Sequence, residues 1–164
     1  MILRPCTAFL IAAGLAAIAP SVVAQSHAAH APAAPPPGRI ELPWSAGLLS
    51  GLPRHDIGMD VHGKALRCSG VDLVDVLRRA GAMPADPLRG AHLARRVEVR
   101  ARDGYTVVFS LGELDPTLGK QRVYVTDQCD GKPLADDAGP ARLLIPGDAR
   151  PARSARQLQT FIIE

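Results

Sequence analysis

The strongest constraint on the fold is a two-residue alternation of apolar and charged side chains on either side of one short turn. Val97, Val99 and Ala101 are apolar, and the positions between them, 98 and 100, are charged. After Asp103-Gly104 the apolar positions resume at Tyr105, Val107 and Phe109. An Asp-Gly pair between two alternating segments is typical of a tight β-hairpin. The segment therefore predicts two antiparallel strands with one buried face each.

The other segments predict a fold of short strands with few helices. Asp72 is a suitable N-cap for a helix that ends at Gly81, and Ser110 with Glu113 predicts a capping box. Further strands are predicted over residues 40–42, 60–68 (with a turn at Gly63-Lys64), 123–125, 142–145 and 158–163. Because strands outnumber helices and the hairpins are local, we predict an α+β fold with a mixed, largely antiparallel sheet and a few short helices.

The N-terminal segment, residues 1–24, has the organisation of a secretory signal peptide. Arg4 precedes the apolar run 9–18 (FLIAAGLAAI), and compact residues precede a predicted cleavage site after Ala24. The run is too short to span a bilayer as a mature helix, although an uncleaved anchor is the alternative. Cleavage predicts a periplasmic or secreted protein without stable membrane insertion. Residues 25–38 (QSHAAHAPAAPPPG) predict an Ala/Pro-rich linker, and residues 39–164 predict one folded domain.

Charge and composition exclude some classes of function. The formal net charge is only +3, without a run of Lys or Arg, and aromatic residues make up 4% of the chain. Binding of single-stranded nucleic acid needs a basic groove with interleaved aromatic side chains, so we predict no nucleic-acid partner. The chain has no CxxC or HExxH pattern and no Ser-His-Asp signature, which gives hydrolase and dithiol oxidoreductase functions no positive support.

Two cysteines, Cys68 and Cys129, follow the predicted cleavage site. In an oxidising compartment, two cysteines in a small domain often pair, so one interpretation is a disulfide. The other is two separate thiols, one of them buried. His55 and His62 flank an extended segment, where a lone histidine is more often a surface residue than a ligand.

Three segments, taken in order, resemble the molybdopterin-binding domain of the sulfite-oxidase superfamily. They are residues 70–81 (GVDLVDVLRRAG), residues 130–134 (DGKPL) with 139–147 (GPARLLIPG), and residues 152–158 (ARSARQL). The resemblance covers about residues 38–164, and it implies the sulfite-oxidase-like molybdopterin-binding fold. The chain departs from the family pattern in two places. The usual cysteine-containing stretch before the first motif is missing. In the last motif, Gln157 stands where the family has an aromatic residue.

The resemblance also implies a cofactor site. Family members hold molybdenum through one cysteine thiolate, and Cys68 is the only cysteine upstream of the first motif after the cleavage site. Arg153 matches a cofactor-contacting arginine of the family and Arg156 matches a lysine. Arginine side chains suit phosphate because the guanidinium can donate two parallel hydrogen bonds. The candidate cofactor-binding residues are therefore Arg142, Arg150, Arg153 and Arg156, with a solvated basic loop as the alternative.

Three functions remain open at this point, and no catalytic residue is assigned. The chain is a molybdopterin oxidoreductase that uses Cys68 as metal ligand, or a binding module that holds a pterin or another small anionic ligand without metal chemistry. The third possibility is a non-catalytic accessory domain beside a redox partner protein. Fold resemblance alone does not restore catalysis. The missing cysteine motif favours the second and third functions.

Overall fold

The computed structural model describes residues 37–61 and 63–164. The predicted signal peptide, nearly all of the predicted linker, and His62 lie outside the described residues. The described part contains two short α-helices, α1 (Leu73–Arg79) and α2 (Leu111–Leu114). Its strands are β1 (Ile40–Pro43), β2 (Arg54–Val61), β3 (Lys64–Asp72), β4 (Arg96–Ala101), β5 (Thr106–Ser110), β6 (Tyr124–Cys129), β7 (Lys132–Pro133), β8 (Arg142–Leu144) and β9 (Leu158–Ile163).

The strands form two sheets, and each strand pair within the described residues is antiparallel. The first sheet has the order β1-β9-β4-β5. The second has the order β2-β3-β6-β7, and β8 also pairs with β6. Two short helices with largely antiparallel sheets make this an α+β fold, as predicted. None of the helices in the described ranges is long and apolar enough to cross a bilayer.

The alternating segment forms the predicted hairpin. Strands β4 and β5 pair in register from Arg96↔Ser110 to Arg100↔Thr106. Val97, Val99 and Phe109 are fully buried, as the two-residue period requires. The turn between the strands contains Gly104 at φ +86°, a conformation that glycine adopts without strain. The hairpin prediction is confirmed.

Both helices begin at the predicted caps. The Asp72 carboxylate accepts a hydrogen bond from the Val74 N–H at 3.0 Å. At α2, the Ser110 hydroxyl accepts from the Glu113 N–H at 3.0 Å, and the Glu113 carboxylate accepts from the Ser110 N–H at 3.0 Å. These bonds satisfy N–H groups that have no partner within the helix. The cap and the capping box are confirmed.

Two hydrophobic clusters lie on opposite faces of the second sheet. The main core joins α1 and the inner faces of both sheets, and it includes Val125 and Leu143. The neighbouring residues Tyr124 and Leu144 instead belong to a small second cluster with Ile57, Met59, Leu66 and the two cysteines. Successive side chains of a strand point to opposite faces. The second sheet is therefore covered on both sides where β6 and β8 pair.

The β2–β3 hairpin is longer than predicted. The sequence pattern predicts an extended segment from residue 60, whereas β2 begins at Arg54 and pairs with β3 along its full length. Lys64 is the first residue of β3 and not part of the turn, which contains Gly63 at φ +77°. Exposed residues alternate with less exposed ones along β2. The sequence does not show this alternation clearly, because the strand contains Asp and Gly, which are poor strand formers.

Candidate anion-binding site

The four candidate arginines lie in three different surroundings. Arg142 and Arg156 line one pocket together. Arg150 is exposed and lines a second pocket beside Pro146 and Pro151. Arg153 lies in the 3-10 turn Pro151–Arg153, and its guanidinium group donates hydrogen bonds to the carboxylates of Asp148 and Glu113. The structure therefore brings together only two of the four arginines around a shared space.

The Arg153 guanidinium is held by two carboxylates. Its Nε and Nη2 donate to the two oxygens of Asp148 at 2.9 and 2.6 Å, and its Nη1 donates to Glu113 at 2.9 Å. The group also lies 4.8 Å from the ring centroid of Phe109. The hydrogen bonds that Arg153 donates to Asp148 are the main cause that raises the pKa of Arg153 above its ordinary value, and burial partly opposes them. Because each of its three nitrogens donates a hydrogen bond to a carboxylate, Arg153 stabilises the loop.

The pocket shared by Arg142 and Arg156 has a volume of about 470 Å³. Its cationic groups are Lys64, Lys132, Arg142 and Arg156, and Asp130 and Asp137 are its two carboxylates. The remaining wall is largely apolar and consists of Val61, Leu66, Cys129, Pro133, Leu134, Ala135 and Ala138. Cationic groups outnumber carboxylates, and the apolar wall lowers the local dielectric, which strengthens attraction for an anion.

Arg142 is the least ordinary residue of this pocket. It is only 7% exposed, and its Nε has no hydrogen-bond partner within the described ranges. Burial, followed by the positive charge of Arg156, lowers the pKa of Arg142, and Asp137 opposes this effect. An arginine nevertheless stays protonated at neutral pH. A buried cation with an unpaired donor normally costs stability, so a bound anion that offsets its charge would stabilise the site.

Arg156 and Asp137 form the exposed side of the pocket. The Arg156 Nη1 lies 3.6 Å from the Asp137 carboxylate, and the two side chains are 58% and 78% exposed. An ion pair this exposed contributes little to stability and can rearrange at low cost. Arg156 can therefore turn toward an incoming anion beside Arg142.

Sequence reasoning missed the two lysines. Lys64 begins β3, and Lys132 begins β7 directly after the Asp130-Gly131 turn, in which both residues have positive φ. Lys132 is the register partner of Cys129 in β6, while Arg142 pairs with Thr126 further along β6. Strand β6 thus aligns cations from distant parts of the sequence. The only signal in the sequence is that each lysine adjoins a glycine turn.

The two cysteines form a disulfide that links β3 to β6. Cys68 and Cys129 are direct register partners, and their Cα atoms are 3.9 Å apart. Cys68 is 4% exposed, whereas Cys129 is half-buried and forms part of the pocket wall. A sulfur bonded to another sulfur is not a thiolate, so the intact bridge leaves Cys68 unable to ligate a metal.

The described residues suit the phosphate group of the implied cofactor better than its molybdenum. Binding of molybdenum would need the Cys68 thiolate, and the described residues bring no three His, Cys, Asp or Glu side chains close enough to hold a metal ion. His55 packs against Tyr124, with ring centroids 5.5 Å apart and the ring planes tilted by 55°. The positive charges of Arg142 and of the other cations that line the pocket, in contrast, suit a phosphate group.

The arrangement as a whole is suited to hold an anion by charge and hydrogen bonding. Arg142 supplies a buried donor, Arg156 and the two lysines supply charge, and the apolar wall can cover the body of a small molecule. Few polar groups on a largely apolar concave surface are typical of small-molecule sites. A comparison with protein-family models finds no matching family, and a comparison with curated proteins finds no matching sequence.

Proposed function

We propose that this chain is an exported binding domain that holds a small phosphate-bearing anion in the pocket of Arg142 and Arg156. The observation that carries the proposal is the buried Arg142 guanidinium, whose Nε has no partner among the residues described. A phosphate would pair with the charge of this guanidinium and relieve the repulsion between the two arginines. Binding without metal chemistry agrees with the disulfide at Cys68.

The proposal includes the resemblance to the molybdopterin-binding domain of the sulfite-oxidase superfamily. Two motifs carry it in the second half of the chain, at residues 139–147 and 152–158, and each contributes one arginine to this pocket. A pterin phosphate is therefore one ligand of the right chemistry. We regard the pocket as an anion site of this fold that works without the metal-binding cysteine.

The direct test is calorimetric titration of the chain that starts at Gln25 with inorganic phosphate and pyrophosphate. Charge-assisted hydrogen bonds contribute roughly 1.5–3 kcal/mol each, so Arg142→Met should weaken binding about ten- to a hundredfold. Methionine has a similar length and no charge, and replacing a buried charge by an apolar side chain is often neutral or stabilising. The variant should therefore melt at or above the wild-type temperature.

Arg150→Ala is the matched control, because Arg150 is exposed and lies outside the pocket. It should bind phosphate like the wild type. Absence of binding by the wild-type chain would refute the anion site and favour an accessory domain. Equal affinity of the Arg142→Met and wild-type chains would move the site elsewhere.

Export is tested separately. The pattern of Arg4, the apolar run 9–18 and Ala24 motivates cleavage between Ala24 and Gln25. Mass spectrometry of the exported protein should find a chain that begins at Gln25. A full-length product in the membrane fraction would contradict export in the form proposed.

A further inference from the structure

The tip of the β2–β3 hairpin covers one side of the anion pocket. Val61, Lys64 and Leu66 belong to this tip and line the pocket. The pairing of β2 with β3 runs to Val61↔Lys64, but the pairing of β3 with β6 stops at Cys68↔Cys129. Within the described ranges, residues 64–67 of β3 therefore have β2 as their only strand neighbour. A two-stranded ribbon is marginally stable unless something anchors it.

The disulfide is the covalent anchor of this tip. It joins β3 to β6 at the last register pair before the tip projects from the sheet. Beyond the disulfide, the tip is tied to β6 by the hydrogen bond from the Asp130 N–H to the Arg67 carbonyl at 2.7 Å, and by packing of Met59 and Leu66 in the small cluster around the cysteines. The base of the pocket does not depend on this bond, because Arg142 is held by the pairing of β8 with β6.

We propose that the Cys68–Cys129 disulfide is a redox switch for anion binding: it holds the hairpin tip, and with it Lys64, over the pocket. This inference rests on the proposed function of the same pocket. Opening the bond lets the tip move away, so the site loses the charge of Lys64 and the cover of Val61 and Leu66. Arg142, Arg156 and Lys132 stay in place, so the site becomes weaker but is not abolished.

The switch operates by exchange with a dithiol. One thiolate of the dithiol attacks the Sγ of Cys129, which is the more exposed cysteine and lies in the pocket wall. The S–S bond breaks, and Cys68 leaves as a thiolate and takes up a proton. The second thiol of the dithiol then displaces Cys129 as a thiol and closes a disulfide within the reagent. The protein gains two electrons and two protons, and the dithiol loses them.

The experiment measures phosphate affinity of the chain that starts at Gln25 before and after reduction with dithiothreitol, a neutral dithiol that does not compete for the pocket. Reduction should weaken phosphate binding about tenfold, the effect of losing about one charge-assisted contact. Lys64→Gln should weaken binding by a similar factor in the oxidised chain. In the reduced chain the same substitution should add less than about a twofold effect, because the two perturbations remove the same contact.

Lys132→Gln is the matched control, because Lys132 lies on β7 and pairs with β6 instead of with the hairpin tip. It should weaken binding equally in the oxidised and reduced chains. Equal phosphate affinity before and after reduction would overturn the switch while leaving the proposed function intact. An oxidised Lys64→Gln chain with wild-type affinity would also overturn the switch. Loss of cooperative melting on reduction would overturn it too, because the disulfide would then stabilise the whole fold and not the hairpin tip alone. If the oxidised wild type fails to bind phosphate, the proposed function fails as well.

Discussion

Substitution of Arg153 by alanine should destabilise the fold by about 2–3.5 kcal/mol. Its two hydrogen bonds to Asp148 involve a carboxylate that is 12% exposed, and we assign them about 1–2 kcal/mol. The bond to Glu113 joins two side chains that are each 34% exposed, so solvent screening limits it to about 0.5 kcal/mol. Stacking over the Phe109 ring adds roughly 0.5–1 kcal/mol.

Thermal denaturation followed by circular dichroism measures this loss. For a domain of this size, a change of 1 kcal/mol shifts the melting temperature by roughly 4 °C, so we expect a decrease of about 8–14 °C. Arg150→Ala, three positions earlier and exposed, should change the melting temperature by less than about 2 °C. Arg153→Lys should recover only part of the loss, because lysine lacks the planar fork that meets both oxygens of Asp148. A melting temperature of Arg153→Ala within 2 °C of the wild type would refute a structural role for this arginine.

Two further predictions concern the fold. Gly70→Ala should destabilise the fold by about 2 kcal/mol or more, because a Cβ there would lie 2.3 Å from the Val125 carbonyl oxygen. Gly58→Ala, whose Cβ would have nothing within 4 Å, should destabilise it by less than about 1 kcal/mol. Urea denaturation measures both variants, and equal midpoints would contradict the steric argument. Burial alone would raise the pKa of Asp115, but hydrogen bonds from Thr117 and from the Leu88 N–H, with the charge of Arg78, together outweigh it and lower the pKa below the ordinary 3.8. The stability that Asp115 contributes is therefore present above pH 3.8 and is lost as pH falls through the lowered folded-state pKa. The melting temperature of Asp115→Asn should depend less on pH in acid than that of the wild type. An equal pH dependence of the two melting temperatures would contradict this.

The parts of the fold that could be predicted are those set by neighbouring residues. The Asp103-Gly104 turn, the Asp72 cap and the capping box of Ser110 and Glu113 depend on contacts within a few positions, so their chemistry is readable locally. The outline of α1 follows from the same local signals. Strand β2 is harder to predict from the sequence, because its stability comes from pairing with β3 and not from its own strand propensity.

The candidate site was predictable only in part, because it is assembled from distant segments. Arg142 and Arg156 were singled out as cations near a Pro-Gly loop, and they do share a pocket. Arg153, predicted together with them, instead bonds Asp148 and Glu113, and nothing local in the sequence reveals that Glu113, 40 residues away, accepts one of its hydrogen bonds. Lys64 reaches the pocket through strand pairing, which a single sequence does not display.

The place of β9 in the first sheet has a consequence for how the chain acquires its structure during synthesis. Strand β9 lies between β1 and β4, and its residues Ile162 and Ile163 pair with residues near position 40 and near position 97. Neither neighbour can complete its hydrogen bonds until Leu158–Ile163 has left the ribosome. Contacts of such long sequence separation form slowly, so the first sheet closes last. A nascent chain halted before β9 would display unpaired strand edges on β1 and β4, which is the kind of state that chaperones protect from aggregation.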